Sequence, residues 1–413
     1  MKLLVSAYAC NPKKGSEEGN GWNMAYEMSK LGHEVWCFTN KFGKKEIEAF
    51  LENEPNDRLH MVFVELPTWV EKLYRYQAGV YFHYIYWQSR AAKIARRLHK
   101  QHRFDLVHHI TLASPQLGSG SWQLKIPFVY GPLGGGQAAP KGFERFFYEW
   151  LKQEKRRDQI GNLLLKLNPN TYKALKKASL VMVTNEETHN LVARYGAKKI
   201  EYFLDTSLPE DFMPAQFPER KPDQTLKLLW VGRLFARKGL PLVLEALTFV
   251  KEDIPISLTI VGDGPLGYKV NDLIKAYHIE HRVNWIGRIP WEDVKQAYLD
   301  HDVFVLCSLR DSFGSQFLEA MAYGLPIITL NHQGTKIFVP DEAGIKIDVK
   351  QPEDTCKQIA LAIEELYHHS EKRTEMGKKG FLYASDKTWT QKVKEINRKY
   401  LNLVPEKEQL KVL

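Results

Sequence analysis

The sequence predicts an α/β protein of two domains, each a parallel sheet covered by helices. Three observations carry this. The chain has 413 residues, more than one hydrophobic core usually supports, so two domains of roughly 200 residues are expected. Short β-branched or apolar runs alternate with longer polar-apolar stretches in both halves, the rhythm of repeated βαβ units. Between the halves, SLPEDFMPAQFPERKPD carries four prolines and no sustained apolar period, which divides the chain.

The first half opens with KLLVSAY as a strand, followed by a helix from Glu17 to Leu31 and by HEVWCFT as the second strand. RLHMVFVEL, DLVHHI, PFVYG and SLVMVT continue the series. MKLLVSAYAC is too short in its apolar run for a signal peptide and lacks a small-residue cleavage site, so it reads as a buried strand. The second half repeats the pattern with LKLLWVG, ISLTIVG, RVNWIG, DVFVLC and PIITL. This gives a first domain over residues 1–205, a hinge over 206–226 and a second domain over 227–385, with the ligand expected in the cleft between the domains. The tail, 386–413, contains a helical pattern from Trp389 to Leu403 and is expected to return to the first domain.

Composition narrows the function classes. Apolar residues make up 44% and charged residues 26%, which suits a folded globular chain without low-complexity tracts. Cys10, Cys37, Cys307 and Cys356 are scattered, without zinc-site spacing, which fits a reducing, cytoplasmic compartment. No window reaches the ~18 apolar residues of a membrane-spanning helix. The net charge of +9 favours an anionic partner: nucleic acid, an acidic membrane surface or a phosphorylated small molecule. Nucleic-acid motifs are absent and the basic residues are not gathered into a recognition element, so no nucleic-acid partner is expected.

The strongest local signal is LLWVGRLFARKGLPLVLEAL, where a strand ends at Gly232 and a helix begins near Lys238. Arg233 and Lys238 stand on either side of the turn, and helix amides add to their positive charge. The assembly suits a diphosphate, gripped by Arg as a fork and by Lys as a point charge. A solvated basic turn is the alternative. The second signal is SLRDSFGSQFLEAMAYGLPIIT, in which Asp311 and Glu319 are separated by a Gly-containing turn and the first turns of a helix. Glu319 projects from the helix, where a carboxylate accepts from two ribose hydroxyls. The amides of Phe313, Gly314, Ser315 and Gln316 lie at the helix N-terminus, a second anion site. Alternatively Asp311 and Ser312 cap the helix and Glu319 is a surface residue.

VGRL-x3-KG, then an acidic residue and a glutamate beyond seven others, then AMAYGLPII, resembles the family-four retaining glycosyltransferases. The likeness covers the second half in order, through the VGDGP turn containing Gly262, WIGRI, and a final helix with Trp389. It implies the GT-B fold: two Rossmann-like parallel-sheet domains facing across a cleft. It also implies that Arg233 and Lys238 neutralise a diphosphate leaving group, that Glu319 holds the ribose, and that backbone at Ile286, Gly287 and Arg288 reads the base. Asp311 stands where the family usually has glutamate, one methylene longer, and is read as an acceptor near the sugar.

The first half resembles the family through GSEEGNGWNMAYEMSKLGHEVWCFT, where Gly19 and Gly21 would let loop amides approach the diphosphate. A plain strand-to-helix turn explains the glycines equally. The family places a histidine facing the transferred sugar. Its usual position falls here on Ile110, leaving His108 or His109, with His109 preferred and Thr111 nearby for the acceptor. A buried core histidine is the competing reading. Gly134, Gly135 and Gly136 are read as cleft lining, against a flexible surface loop. Asp300-His301-Asp302 spells a metal-binding DxD but precedes a strand, so it is read as a turn, and neither metal nor cofactor is expected. Trp69 to Arg97 and Lys141 to Lys177, the latter with FERFFYEWLKQEKRR, set aromatics beside cations and suit peripheral contact with an anionic membrane on its cytoplasmic face. Packing of those aromatics into the core is the alternative.

The resemblance implies transfer of a sugar, with retention of configuration, from a nucleotide diphosphate sugar to a hydroxyl of a glycan or lipid-linked acceptor. The donor is read as a UDP-sugar and the setting as cell-surface polysaccharide synthesis. A sugar-nucleotide epimerase on the same scaffold and a non-catalytic sugar- or nucleotide-binding protein are the alternatives. Turnover of donor without acceptor would mark the epimerase.

Overall fold

A computed structural model describes residues 1–75, 77–220 and 223–405. Its packing separates two units: Met1–Gly136 with Gln159–Thr206 and the stretch from Trp389, and Gln137–Asp158 with Ser207–Thr388.

The first unit is built on seven strands: β1 (Lys2–Ala7), β2 (Glu34–Thr39), β3 (Leu59–Phe63), β4 (Leu106–Thr111), β5 (Phe128–Leu133), β6 (Leu180–Val183) and β7 (Ile200–Tyr202). All pairings are parallel, in the order β3-β2-β1-β4-β5-β6-β7. Side chains alternate between faces along each strand, so Leu4 packs beneath Tyr84, Trp87 and Ala91 of the helix Gln77–His102. Leu3 and Val5 face the opposite way, towards Trp22, Met24 and Met28 of the helix Ser16–Lys30. Trp389, Val393, Ile396 and Tyr400 of the helix Trp389–Leu401 join that second cluster. Residues 406–413 of the tail lie outside the described residues.

The second unit has six strands: β8 (Leu226–Val231), β9 (Ile256–Val261), β10 (Val283–Gly287), β11 (Val303–Val305), β12 (Ile327–Leu330) and β13 (Gly344–Ile347). They pair in parallel in the order β10-β9-β8-β11-β12-β13. In each sheet the strand order reverses beside its first strand, at β1/β4 and at β8/β11. In open parallel sheets, ligands bind at such reversal points, beside the loops that leave the carboxyl ends of the strands.

Two features differ from the sequence reading. Residues 137–158 come from the first half of the chain but pack with the second unit, because Phe143, Phe146 and Phe147 are buried there. This removes Phe143, Phe146 and Phe147 from any membrane-facing surface. The proline-rich segment is also no free linker. Phe212 is buried against Tyr323. Arg220 donates to the carbonyls of Tyr298, His301, Tyr323 and Gly324 at 2.6–3.3 Å. Lys221 and Pro222 of the expected hinge lie outside the described residues, as does Tyr76 in the aromatic stretch from Trp69.

Candidate functional site

The second unit's reversal point gathers most of the sequence-derived candidates. β8 runs out through Gly232 and Arg233 into a single helical turn, Ala236–Lys238, and then Gly239. Gly239 adopts φ 71°, and a Cβ there would overlap the carbonyl oxygen of Cys307 beyond β11. Only glycine brings the two loops this close. The amides of Leu309 and Arg310 then donate to the Arg237 carbonyl at 2.8 and 3.2 Å.

This stitching sets the charges. Lys238, 7% exposed, makes an ion pair and hydrogen bond to Asp311 Oδ2. Arg237 lies 3.6 Å from Oδ1, which also accepts from the Ser312 amide at 3.1 Å. Burial opposes ionisation of Asp311, but Lys238 and Arg237 together hold its carboxyl below the ordinary carboxylate range. Arg233 is exposed, its guanidinium 4.9 Å from the centre of the Phe235 ring, with Arg237 5.3 Å from the same ring. Among the described residues Arg233 forms no ion pair. Arg310 is neutralised by a fork on Glu154 at 2.6 and 2.7 Å.

The helix Ser315–Ala322 starts at Gly314 with no side-chain cap, so Asp311 and Ser312 do not cap it and its first amides remain available for an anion. Ser312 Oγ instead accepts from Gln137 Nε2 at 3.0 Å. Phe313 is buried against Phe317 and Phe338. Gln316 Oε1 is buried without a partner, as is Ser308 Oγ. A Cβ on Gly314 would stand 2.5 Å from Gln316 Oε1 and 3.5 Å from Lys238 Nζ, which locates this open acceptor beside the cation. Glu319 Oε2 accepts from the Tyr298 hydroxyl at 2.9 Å. Burial pushes the Glu319 carboxyl above the ordinary glutamate range, against the opposing hydrogen bonds of Ser315 and Tyr298 and the charge of Lys238.

The loops after β9 and β10 close the same edge. Gly262 N donates to the Gly287 carbonyl at 2.7 Å, Trp285 Nε1 donates to the Gly262 carbonyl at 2.9 Å, and Leu234 N donates to Asp263 O at 2.8 Å. Ile286 and Arg288 project beside Gly287 and are exposed. The DxD is elsewhere: Asp302 accepts from the Lys227 amide at 2.9 Å at the start of β8, on the amino-terminal edge of the sheet.

Candidates in the first unit behave differently. Gly19 and Gly21 lie inside the helix Ser16–Lys30, not in a loop. A Cβ on Gly21 would overlap the Ala9 carbonyl, so its close approach serves helix-on-strand packing rather than a ligand. Thr111 Oγ1 is buried and accepts from the Ala9 amide at 2.9 Å. Both histidines are interior. His108 Nε2 donates to the Gly131 carbonyl at 2.6 Å, and Nδ1 accepts from Tyr400 at 2.5 Å. His109 is held by Tyr84 at 2.9 Å, Ser119 at 3.1 Å and Gln88 at 3.3 Å. Burial lowers them to about 4 and about 3. The core reading therefore describes both, and neither ring is free to face a sugar. Gly135 O accepts from Gln116 Nε2 at 2.6 Å and Gly136 N donates to Thr188 Oγ1 at 3.0 Å, with Gly134 partly buried beside them. That loop is anchored, not flexible.

Sequence reasoning missed Arg237, Arg310, Tyr298 and Gln333. The two arginines flank named residues in FARKG and SLRDS and were legible there. Gln333 was not: at φ 50° it accepts from the Asp311 amide at 2.7 Å and donates to the Ala138 carbonyl at 3.0 Å.

Residues 212–382 match the family described as Glycosyl transferases group 1. A D-inositol 3-phosphate glycosyltransferase from Corynebacterium diphtheriae is 28% identical over 72% of this chain and 70% of its own length. Further curated relatives match over 34% to 42% of their own lengths. Sucrose-phosphate synthase from Thermosynechococcus elongatus shares the fold at TM-score 0.65 and 18% identity, over 97% of this chain and 98% of that one. HepE from Anabaena in complex with UDP superimposes at TM-score 0.63 and 15% identity, over 98% of this chain and all of that one (100%).

Proposed function

We propose, from the premise that this chain is a group 1 glycosyltransferase of GT-B fold, that it transfers a sugar from a UDP-sugar to a hydroxyl with retention of anomeric configuration. The acceptor is read as a glycan or lipid-linked sugar in cell-surface polysaccharide synthesis. The observation that carries the reading is the clustering of Arg233, Arg237 and Lys238 beside an uncapped helix start, with Glu319 one turn further on.

Transfer breaks the bond from C1 to the β-phosphate oxygen, and that electron pair stays on the diphosphate. The acceptor oxygen bonds C1 and its proton passes to the departing phosphate. Negative charge therefore grows on the diphosphate in the transition state, where fixed cations and helix amides stabilise it most. Those cations supply what a divalent ion would, which makes the reaction metal-independent. Glu319 accepts from the ribose hydroxyls. Gln316 Oε1, a buried acceptor without a donor, is placed to take a further donor hydroxyl.

Supporting the donor class, HepE was crystallised with UDP. Thermal stabilisation by nucleotides tests it. UDP should raise the melting temperature at concentrations where ADP and GDP do not, following RT ln(1 + [L]/Kd). A shift with ADP or GDP in place of UDP overturns the base assignment, and no shift with any of them overturns the donor site. Peripheral contact with an anionic membrane belongs to the same reading, through the exposed Trp69, Tyr81 and Phe82. No described helix is long and apolar enough to cross a membrane.

A further inference from the structure

Glu319 is held from outside its own motif. Tyr298 lies on the helix Trp291–Asp300, fully buried, and its hydroxyl donates to Glu319 Oε2 at 2.9 Å. Its ring stacks on Tyr323, with centroids 5.8 Å apart and planes at 20°, and meets Phe212 edge-on at 6.5 Å. Tyr323 is itself fixed by donating to the Phe212 carbonyl at 2.9 Å. A phenol so confined cannot swing away when a nucleotide arrives, so the carboxylate meets its ligand with one oxygen already committed.

We propose that Tyr298 is a positioning residue for the nucleotide: by donating to Oε2 it fixes the Glu319 rotamer and presents the remaining lone pairs to the ribose hydroxyls. This rests on the reading of Glu319 as the ribose carboxylate. Glu319 is faced by Ser315 on its own helix, by Tyr298 from the helix Trp291–Asp300 and by Lys238 from the loop after β8, itself paired with Asp311. Tyr323 faces the Tyr298 ring. Burial already disfavours the ionised carboxyl, and the Tyr298 hydroxyl opposes that effect. Without the hydroxyl the carboxyl protonates at higher pH and becomes a neutral, weaker acceptor for the ribose hydroxyls.

The test compares UDP affinity of the wild type, Tyr298→Phe and Glu319→Gln by calorimetry from about pH 5 to about pH 8. Ratios of dissociation constants cancel the titration of UDP itself. Near the upper end Tyr298→Phe should bind UDP a few-fold more weakly than the wild type, because the Glu319 rotamer is no longer held. Near the lower end the ratio should widen to ~10-fold or more, the scale of a lost hydrogen bond to a charged acceptor. Glu319→Gln should lack this acid limb altogether, which keeps the test decisive even where Tyr298→Phe does not fold. A merely structural defect would give a constant ratio, and that result overturns the proposal while leaving the donor site intact. An acid limb shared by Glu319→Gln overturns it as well. A wild type that binds no UDP overturns the ribose reading and this proposal with it.

Discussion

Lys238 is buried against an anion, so its removal acts twice. Lys238→Ala withdraws a cation from the proposed leaving group and leaves Asp311 with Arg237 3.6 Å away as its remaining ion partner. A lost transition-state charge of this kind costs on the order of 3 kcal/mol, a fall of about a hundredfold or more in kcat, with a smaller effect on donor binding. Activity should survive EDTA. Normal turnover by Lys238→Ala with its fold intact by circular dichroism, or loss of activity on chelation with rescue by magnesium or manganese, would count against this assignment. The histidines make a separate claim. His108 and His109 are neutral in the native interior, lowered by burial to about 4 and about 3, whereas in the unfolded chain each protonates near 6.5. The unfolded state thus binds more protons below that value. Stability should fall as pH drops from about 6.5 towards about 4, by ~1.4 kcal/mol per pH unit for each ring. Calorimetric unfolding across this range should show the slope, and His109→Gln should reduce it by one ring's share, ~1.4 kcal/mol per pH unit. Residue types were legible at this scale while environments were not. Nothing in DLVHHI tells that Tyr400 will reach His108, because that partner arrives from the far end of the chain.

At the scale of elements, the strands were legible because each sheet is buried on both faces and its strands are short apolar runs. The two strands that escaped notice are β7 and β13, short and only partly buried, so no such run marks them. Tyr298 escaped for a different reason: it meets Glu319 only because the helix Trp291–Asp300 packs beside the helix Ser315–Ala322. Loops were the hardest to read, since their form depends on neighbouring loops. Gly239→Ala tests that dependence. With φ at 71° and no room before Cys307, the added methyl should lower stability by roughly 2 kcal/mol or more and displace Lys238. Urea unfolding with an unchanged midpoint would show that the loops after β8 and β11 are not locked together as described.

On the scale of the molecule, the division into two parallel-sheet units was legible, but the membership of residues 137–158 was not, because it depends on Arg145 reaching Glu245 and Glu154 reaching Arg310. That same packing buries Phe143, Phe146 and Phe147 and leaves the surfaces of residues 69–97 and 159–177, the latter with exposed Leu163, Leu167 and Tyr172, to carry any membrane contact. In the first of these, Trp69 and Phe82 are 56% and 46% exposed, and Arg90, Lys93, Arg96 and Arg97 are exposed on the helix Gln77–His102 that carries Phe82. Sedimentation with vesicles should recover more protein with anionic than with neutral lipid, and added salt should release it. Equal recovery with both would remove the membrane contact. The helix Trp389–Leu401 also sets a schedule. Its residues leave the ribosome after residues 207–388, yet Trp389, Val393, Ile396 and Tyr400 complete one face of the first sheet. At ~5–20 residues per second, synthesis of residues 207–388 takes on the order of ten to forty seconds. For that interval the nascent first unit carries an uncovered apolar face, the kind of surface that chaperones shield during translation.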